Sequence, residues 1–273
     1  MDERNLEHVR RWFVDYCQTF YTENSEDQRN ILLKEEHTHR VCANILRIGA
    51  EEGLDDERLL LAEVIALLHD VGRFEQYRQY RTFRDGISVD HAALGAEIIR
   101  EIDLLAGFNP HERDVVSHAV ESHNAFVVPK QFQGDSLYFL QLVRDADKLD
   151  IWRVFQEYYA QAQGERSAVV GLDFPDRPEC SPEILDKLTK GELVRLSAAK
   201  TLSDFKLIQL SWSYDLTFRE SFRMVAEREH VKGIAATLPD LPEVRRAEEA
   251  VLCFVEEKLS QDAGAPPGLS EIA

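Results

Sequence analysis

Residues 66–74 read ALLHDVGRF. Upstream, Leu60, Val64, Leu67 and Leu68 recur at helical spacing, which predicts a buried central helix. That helix ends in an adjacent His69 and Asp70, with Gly72 and Arg73 following at once. A carboxylate at the end of an apolar helix is costly to bury alone, so Asp70 requires a partner. The rest of the chain decides whether that partner is a cation held by further side chains.

Outward from this stretch, helical patterning dominates. Residues 4–22 carry Trp12, Phe13, Tyr16 and Phe20 on a helical segment. Residues 28–52 form a long helix with Ile31, Leu32, Val41, Ile45, Leu46 and Ile48 at helical spacing, closed by Gly53. Asp55 is placed to cap the helix that leads to His69. Residues 78–88 read as a loop or short turns, and helices are predicted at 89–104, 110–123, 134–162, 181–200, 203–229 and 242–260. No segment shows sustained β alternation. The stretch 163–181 is the weakest in pattern, a boundary or an insertion, and the Pro/Gly/Ala-rich residues 263–273 are expected to be disordered.

Composition narrows the class. The chain has 273 residues, 44% of them hydrophobic, enough for a sizeable core. There is no apolar run of membrane-spanning length, and the charged start MDERNLEHVRRWF lacks the apolar core of a signal peptide, so a cytoplasmic protein is expected. Cys17, Cys42, Cys180 and Cys253 stand far apart, which argues against a disulfide framework or a thiolate zinc site. The net charge of −18 disfavours binding to a nucleic-acid polymer but not to a small phosphorylated molecule.

Of the nine histidines, most fall between residues 37 and 123. His37 lies in EEHTHRV at the start of an apolar-faced helix, and Asp147 lies in RDADKLD within another. Three helices thus offer ligands that a bundle can turn inward, and His/carboxylate sets without thiolate suit Mn, Fe, Co, Ni, Zn or Mg.

In order and spacing, HTHRV, ALLHDVGRF and DADKLD resemble the HD superfamily of metal-dependent phosphohydrolases, over about residues 30–160. The resemblance implies an all-α fold, a single helical HD-domain bundle with extra C-terminal helices. It would occupy residues 1–262, with a core at 30–160 and an extension at 181–262. By the same resemblance His37, His69, Asp70 and Asp147 are the core metal ligands. The family pattern puts the ligand four residues before a Val, which selects His37, one helical turn from Val41. His39 is turned away by about 200°.

A second metal is implied by His91 in SVDHAALGAEI and by His123 in VVSHAVESHNAF, with His118 a further candidate and Asp70 as the bridge. His118 and His123 are rotated by about 140° from one another, so both meet one site only if the helix ends between them. HNAFVVP suggests an end near His123. Asp70, Arg73 and Lys148 are the implied catalytic residues, and Arg73, Arg84 and Lys148 the implied contacts to substrate phosphate. Asp150, one turn from Asp147, reads as a supporting carboxylate. Thr82, Asp85, Ser88 and Asp90 are weaker candidates for substrate contact, and Phe74 and Tyr77 read as packing residues.

The implied activity is hydrolysis of a small phosphoester, a nucleotide among the options, with one or two divalent metal ions as cofactor. Two alternatives stay open: a di-iron oxygenase of the same superfamily, and a non-catalytic, metal-stabilised regulatory domain. The aromatic-rich helices after residue 200 either complete the core or form a face for homo-oligomers; no membrane partner is expected.

Overall fold

The computed structural model describes residues 1–162, 169–172 and 174–261. The tail expected to be disordered, and part of the 163–181 stretch, lie outside these residues. The described residues are helical throughout, with no strand among them. They divide into two compact units, Met1–Asp150 and Ile151–Ala273, and the dividing line falls inside one long helix.

The first unit opens with α1 (Glu3–Gln18), whose Leu6, Val9, Phe13 and Cys17 are buried along one face. The long α2 (Ser25–Glu51) follows, capped by the Asn24 side chain, which accepts from Glu26 N and Asp27 N. Its inner face carries Ile31, His37, Val41, Ile45 and Ile48, while Leu32 is 44% exposed. Asp55 caps α3 (Asp56–Leu68) as the sequence suggests, and α3 is buried over most of its length from Leu61 onward.

The chain does not go into a loop after the His-Asp pair. It restarts within two residues as α4 (Val71–Tyr80), whose residues 78–80 were expected to be loop. Asp70 breaks the helical course at φ −110°, ψ 13°. Phe74 on α4 packs against Phe13, Tyr16 and Phe20, with ring centroids 5.6–6.2 Å apart. This aromatic contact explains why the segment is helical: it has an apolar face to bury, even though its charged surface hides the period.

A short 3-10 turn, Asp85–Ile87, leads to α5 (His91–Glu101), capped by Asp90. Next, α6 (Pro110–Ser122) starts with a reciprocal capping box between Asn109 and Glu112 and stops at His123. The helix α7 (Gly134–Ala160) carries Asp147 and Asp150 before the unit ends.

Glycine sets the closeness of α4 and α5. A Cβ on Gly72 would stand 2.1 Å from the His91 carbonyl oxygen and 2.7 Å from Gly95 N. Gly95 answers it, since its own Cβ would lie 3.2 Å from Gly72 N. The glycines of HDVG and HAALG are thus opposite halves of one backbone contact.

In the second unit the helices predicted at 181–200 and 203–229 are shorter and broken. The first is α8 (Pro182–Thr189). The second becomes α9 (Leu202–Ser211), a 3-10 turn at Trp212–Asp215 and α10 (Arg219–Glu227); α11 (His230–Ala235) lies where no helix was expected, and α12 (Pro242–Ser260) closes the unit. All ten residues of α9 are buried, which makes it the unit's central helix. His230 begins α11, is buried and stacks on Trp152 at 5.6 Å. No helix among the described residues is long and apolar enough to cross a membrane.

Candidate metal centre

Helix ends bring most of the site together. His69 is the C-cap of α3, Asp70 the N-cap of α4, His91 the first residue of α5, and His123 the C-cap of α6. His37 comes from the middle of α2 and Asp147 from the middle of α7. The Asn44 amide donates to the Ala146 carbonyl at 3.0 Å and so ties α2 to α7 next to Asp147.

Asp70 holds an N-cap position yet makes no capping hydrogen bond with its side chain. A capping aspartate usually stabilises its helix by about 1 kcal/mol. Here the carboxylate faces the histidines instead. Its Oδ2 lies 3.6 Å from His37 Nε2 and 3.8 Å from His69 Nε2. Its Oδ1 lies 3.3 Å from His91 Nε2 and 3.6 Å from His123 Nε2. One oxygen therefore serves each pair of rings. Asp147 Oδ1 joins the first pair, 3.0 Å from His37 Nε2 and 3.7 Å from His69 Nε2.

The opposite ring nitrogens are all engaged. His37 Nδ1 meets Asp150 Oδ2 at 2.7 Å, and His91 Nδ1 meets Asp85 Oδ2 at 2.7 Å. His69 Nδ1 donates to the Ala66 carbonyl at 2.7 Å and His123 Nδ1 to the Val120 carbonyl at 2.8 Å. A carbonyl can only accept, so in the neutral ring these two must carry their proton on Nδ1 and a lone pair on Nε2.

The inward nitrogens then face one another. His91 Nε2 and His123 Nε2 are 3.1 Å apart, and His37 Nε2 and His69 Nε2 are 3.4 Å apart. Ligands bound at about 2.0–2.2 Å to one cation stand roughly 3–3.5 Å from each other. The donor set and its spacing therefore fit a divalent ion in each group. His37, His69 and Asp70 form one buried group, and Asp70, His91 and His123 form another. A third set, Asp85, Asp90 and His91, is already engaged: Asp85 accepts from His91, and Asn124 donates to Asp90 Oδ1 at 2.9 Å.

Electrostatics agree with that placement. Burial pushes the Asp70 carboxyl up, but Lys34, His69, His123 and Arg73 hold it well below the usual carboxylate range. Burial opposes ionisation of Asp147 as well, and hydrogen bonds from His37 and His69 prevail. Burial and Lys34 push His37 down, yet Asp147 and Asp150 bracket it and raise it to about 9. Burial and Arg73 bring His91 down to about 4, so it is neutral at pH 7.

Arg73 Nη1 donates to Gln76 Oε1, the Phe83 carbonyl and Asp85 Oδ1, at 2.5–2.9 Å. Its Nε lies 3.5 Å from Asp70 Oδ1. It thus pins the 82–90 loop to the site. Ser88 accepts from Gln76 at 2.9 Å, and Thr82 accepts from Arg84 N at 3.2 Å, so both serve the same loop. Arg84 is half-buried beside Asp85. Lys148 Nζ donates to the Arg144 carbonyl at 3.3 Å. His118 lies outside both groups, bonded to Ser136 Oγ at 3.0 Å and lying against the Phe132 ring. His39 is exposed and meets the edge of Phe13. Phe74 and Tyr77 are buried.

Sequence reasoning passed over Lys34, whose Nζ is 2.8 Å from Asp70 Oδ2. The available signal was its position one helical turn before His37 on α2.

Searches of curated proteins and of solved structures returned no significant match. The family comparison did: residues 35–152, the span from α2 to α7 that supplies every side chain of the two groups, are an HD domain.

Proposed function

We propose that the protein is a metal-dependent phosphohydrolase that cleaves a small phosphoester, nucleotides being one fitting class. The observation that carries this reading is the pair of buried His/Asp groups that share Asp70, one carboxylate oxygen turned to each. His37, His69, Asp70 and Asp147 would hold one divalent ion and Asp70, His91 and His123 a second. When bound, such ions supply an acidified water and polarise a phosphoryl oxygen.

The chain's own residues do the positioning. Asp150 and Asp85 fix the ring orientation of His37 and His91, and main-chain carbonyls do so for His69 and His123. Four carboxylates, Asp70, Asp85, Asp147 and Asp150, outnumber Lys34 and Arg73 around the cluster. Two divalent ions reverse that balance and leave an excess of positive charge suited to a phosphate dianion. Arg73 secures the loop beside the site, while Arg84 and Lys148 add positive charge for the phosphate. The acidic whole, at −18, suits a small substrate better than a nucleic-acid polymer.

Elemental analysis of protein purified without chelator tests the reading. About two ions per chain are expected, falling towards one in His91→Ala and His123→Ala. Asp70→Ala should lose both ions and all activity, whereas His39→Ala should lose neither. Turnover of phosphoesters with Mn, Co or Ni is the expected outcome; oxygen consumption with iron and no ester cleavage would favour the oxygenase chemistry instead. Metal retained in Asp70→Ala would overturn the assignment.

A further inference from the structure

We infer that Lys34 is a resident counter-cation that yields Asp70 to the metal and then takes up the substrate's phosphoryl group. The inference rests on the metal-site reading above and adds to it a residue that lies one position outside the HD match.

Lys34 Nζ makes one hydrogen bond among the described residues, 2.8 Å to Asp70 Oδ2, and its ammonium lies 5.2 Å from the centroid of the Phe83 ring. That same Oδ2 is the oxygen turned towards His37 and His69. Lys34 and a cation in that group therefore compete for one oxygen. In the metal-free protein the lysine neutralises the Oδ2 side of a buried carboxylate whose Oδ1 faces Arg73 Nε at 3.5 Å. Once the oxygen is taken, an ammonium left beside a divalent ion is repelled.

Two cations border Asp70, and only one is free to move. Arg73 is held by three acceptors on a single Nη1. Lys34 is held by one hydrogen bond on a flexible four-carbon stem. Its side chain keeps 16% of its surface exposed, against 0–4% for His37, His69, Asp70, His91 and His123. Lys34 thus lies with Asp147 and Arg73, each also 16% exposed, on the side of the buried cluster that an incoming anion can reach. Displaced from Asp70, it meets the phosphate there.

Lys34 would then couple metal and anion binding. Without an anion it opposes the metal; with one it favours both, and the coupling must be reciprocal. Metal-free wild type, Lys34→Met and Lys34→Arg are titrated with Mn2+, read by the electron paramagnetic resonance of the free ion, with and without millimolar inorganic phosphate. Without phosphate, Lys34→Met should bind Mn2+ about tenfold more tightly than wild type, the effect of removing one charge-assisted hydrogen bond. Phosphate should tighten Mn2+ binding to wild type several-fold more than to Lys34→Met, and Lys34→Arg should restore the coupling. If circular dichroism shows that Lys34→Met is misfolded, Lys34→Gln replaces it with the same expectation.

Equal or weaker Mn2+ binding by the uncharged variant, or equal phosphate coupling in all forms, would overturn the role of Lys34 while leaving the metal site intact. Failure of wild type to take up Mn2+, Fe2+, Co2+ or Zn2+ would overturn the site and this inference together.

Discussion

Four imidazoles in one cluster bind a metal well only if each presents the same nitrogen inward. Here each ring is held by an acceptor at Nδ1, two of them carboxylates. Substituting those carboxylates should act on the metal without touching a ligand. Asp150→Asn should weaken binding in the His37 group about 10–100-fold, and Asp85→Asn should do the same in the His91 group. Calorimetric titration should show only one of two binding steps altered in each variant; an unchanged isotherm would contradict the support assigned to these residues. His37 adds a pH dependence. In the metal-free fold it titrates at about 9, against 6.5 for an unperturbed ring. Its charged form therefore stabilises the metal-free fold fully below about 6.5, and this stabilisation disappears as pH rises through about 9. Metal binding has the opposite sign, because the ion must displace that proton. Affinity should climb with pH up to about 9, and calorimetry at pH 7 in buffers of unlike ionisation enthalpy should report about one proton released. Since His91 is already neutral, release of none would contradict the bracketed imidazolium.

Helix ends, more than helix faces, bring the ligands together, and this governs what could be read in advance. His69, Asp70 and the stop at His123 were legible because an apolar run ends visibly at the first pair and HNAFVVP breaks the second helix. The restart at Val71 was hidden, because VGRFEQYRQY mixes charge into the face that packs on α1. Lys34 was passed over because its place one turn before His37 does not by itself show that its side chain reaches Asp70. The contact of Gly72 with Gly95 sets the distance between Asp70 and His91, so Gly72→Ala should push α4 and α5 apart. Overpacking of this kind costs about 1–3 kcal/mol. Its melting temperature should fall, and metal in the His91 group should be lost before metal in the His37 group; an unaltered melt and full metal content would show that the backbones can yield.

Across the whole molecule, the all-helical class and the HD domain were readable from periodicity and motif order. The breaks after residue 189 were not, since α9 and α10 carry enough apolar residues to read as one helix while a short 3-10 turn divides them. At this scale the cations belong to stability as well as chemistry. At a thousandfold excess over the dissociation constant, a bound ion stabilises the fold by about 4 kcal/mol. Chelation should therefore lower the melting temperature, and added metal should restore it; a melt indifferent to both would separate the cluster from the fold. Several bonds reach beyond the matched span. Tyr16 on α1 donates its hydroxyl to the Val71 carbonyl at 3.1 Å, next to Asp70, while Asn30 on α2 donates to the Tyr77 hydroxyl. A piece trimmed to residues 35–152 would lose both ties, the aromatic cover of Phe74 and Lys34 itself. For transplantation into another protein, the portable module begins with α1, well upstream of its recognisable motif.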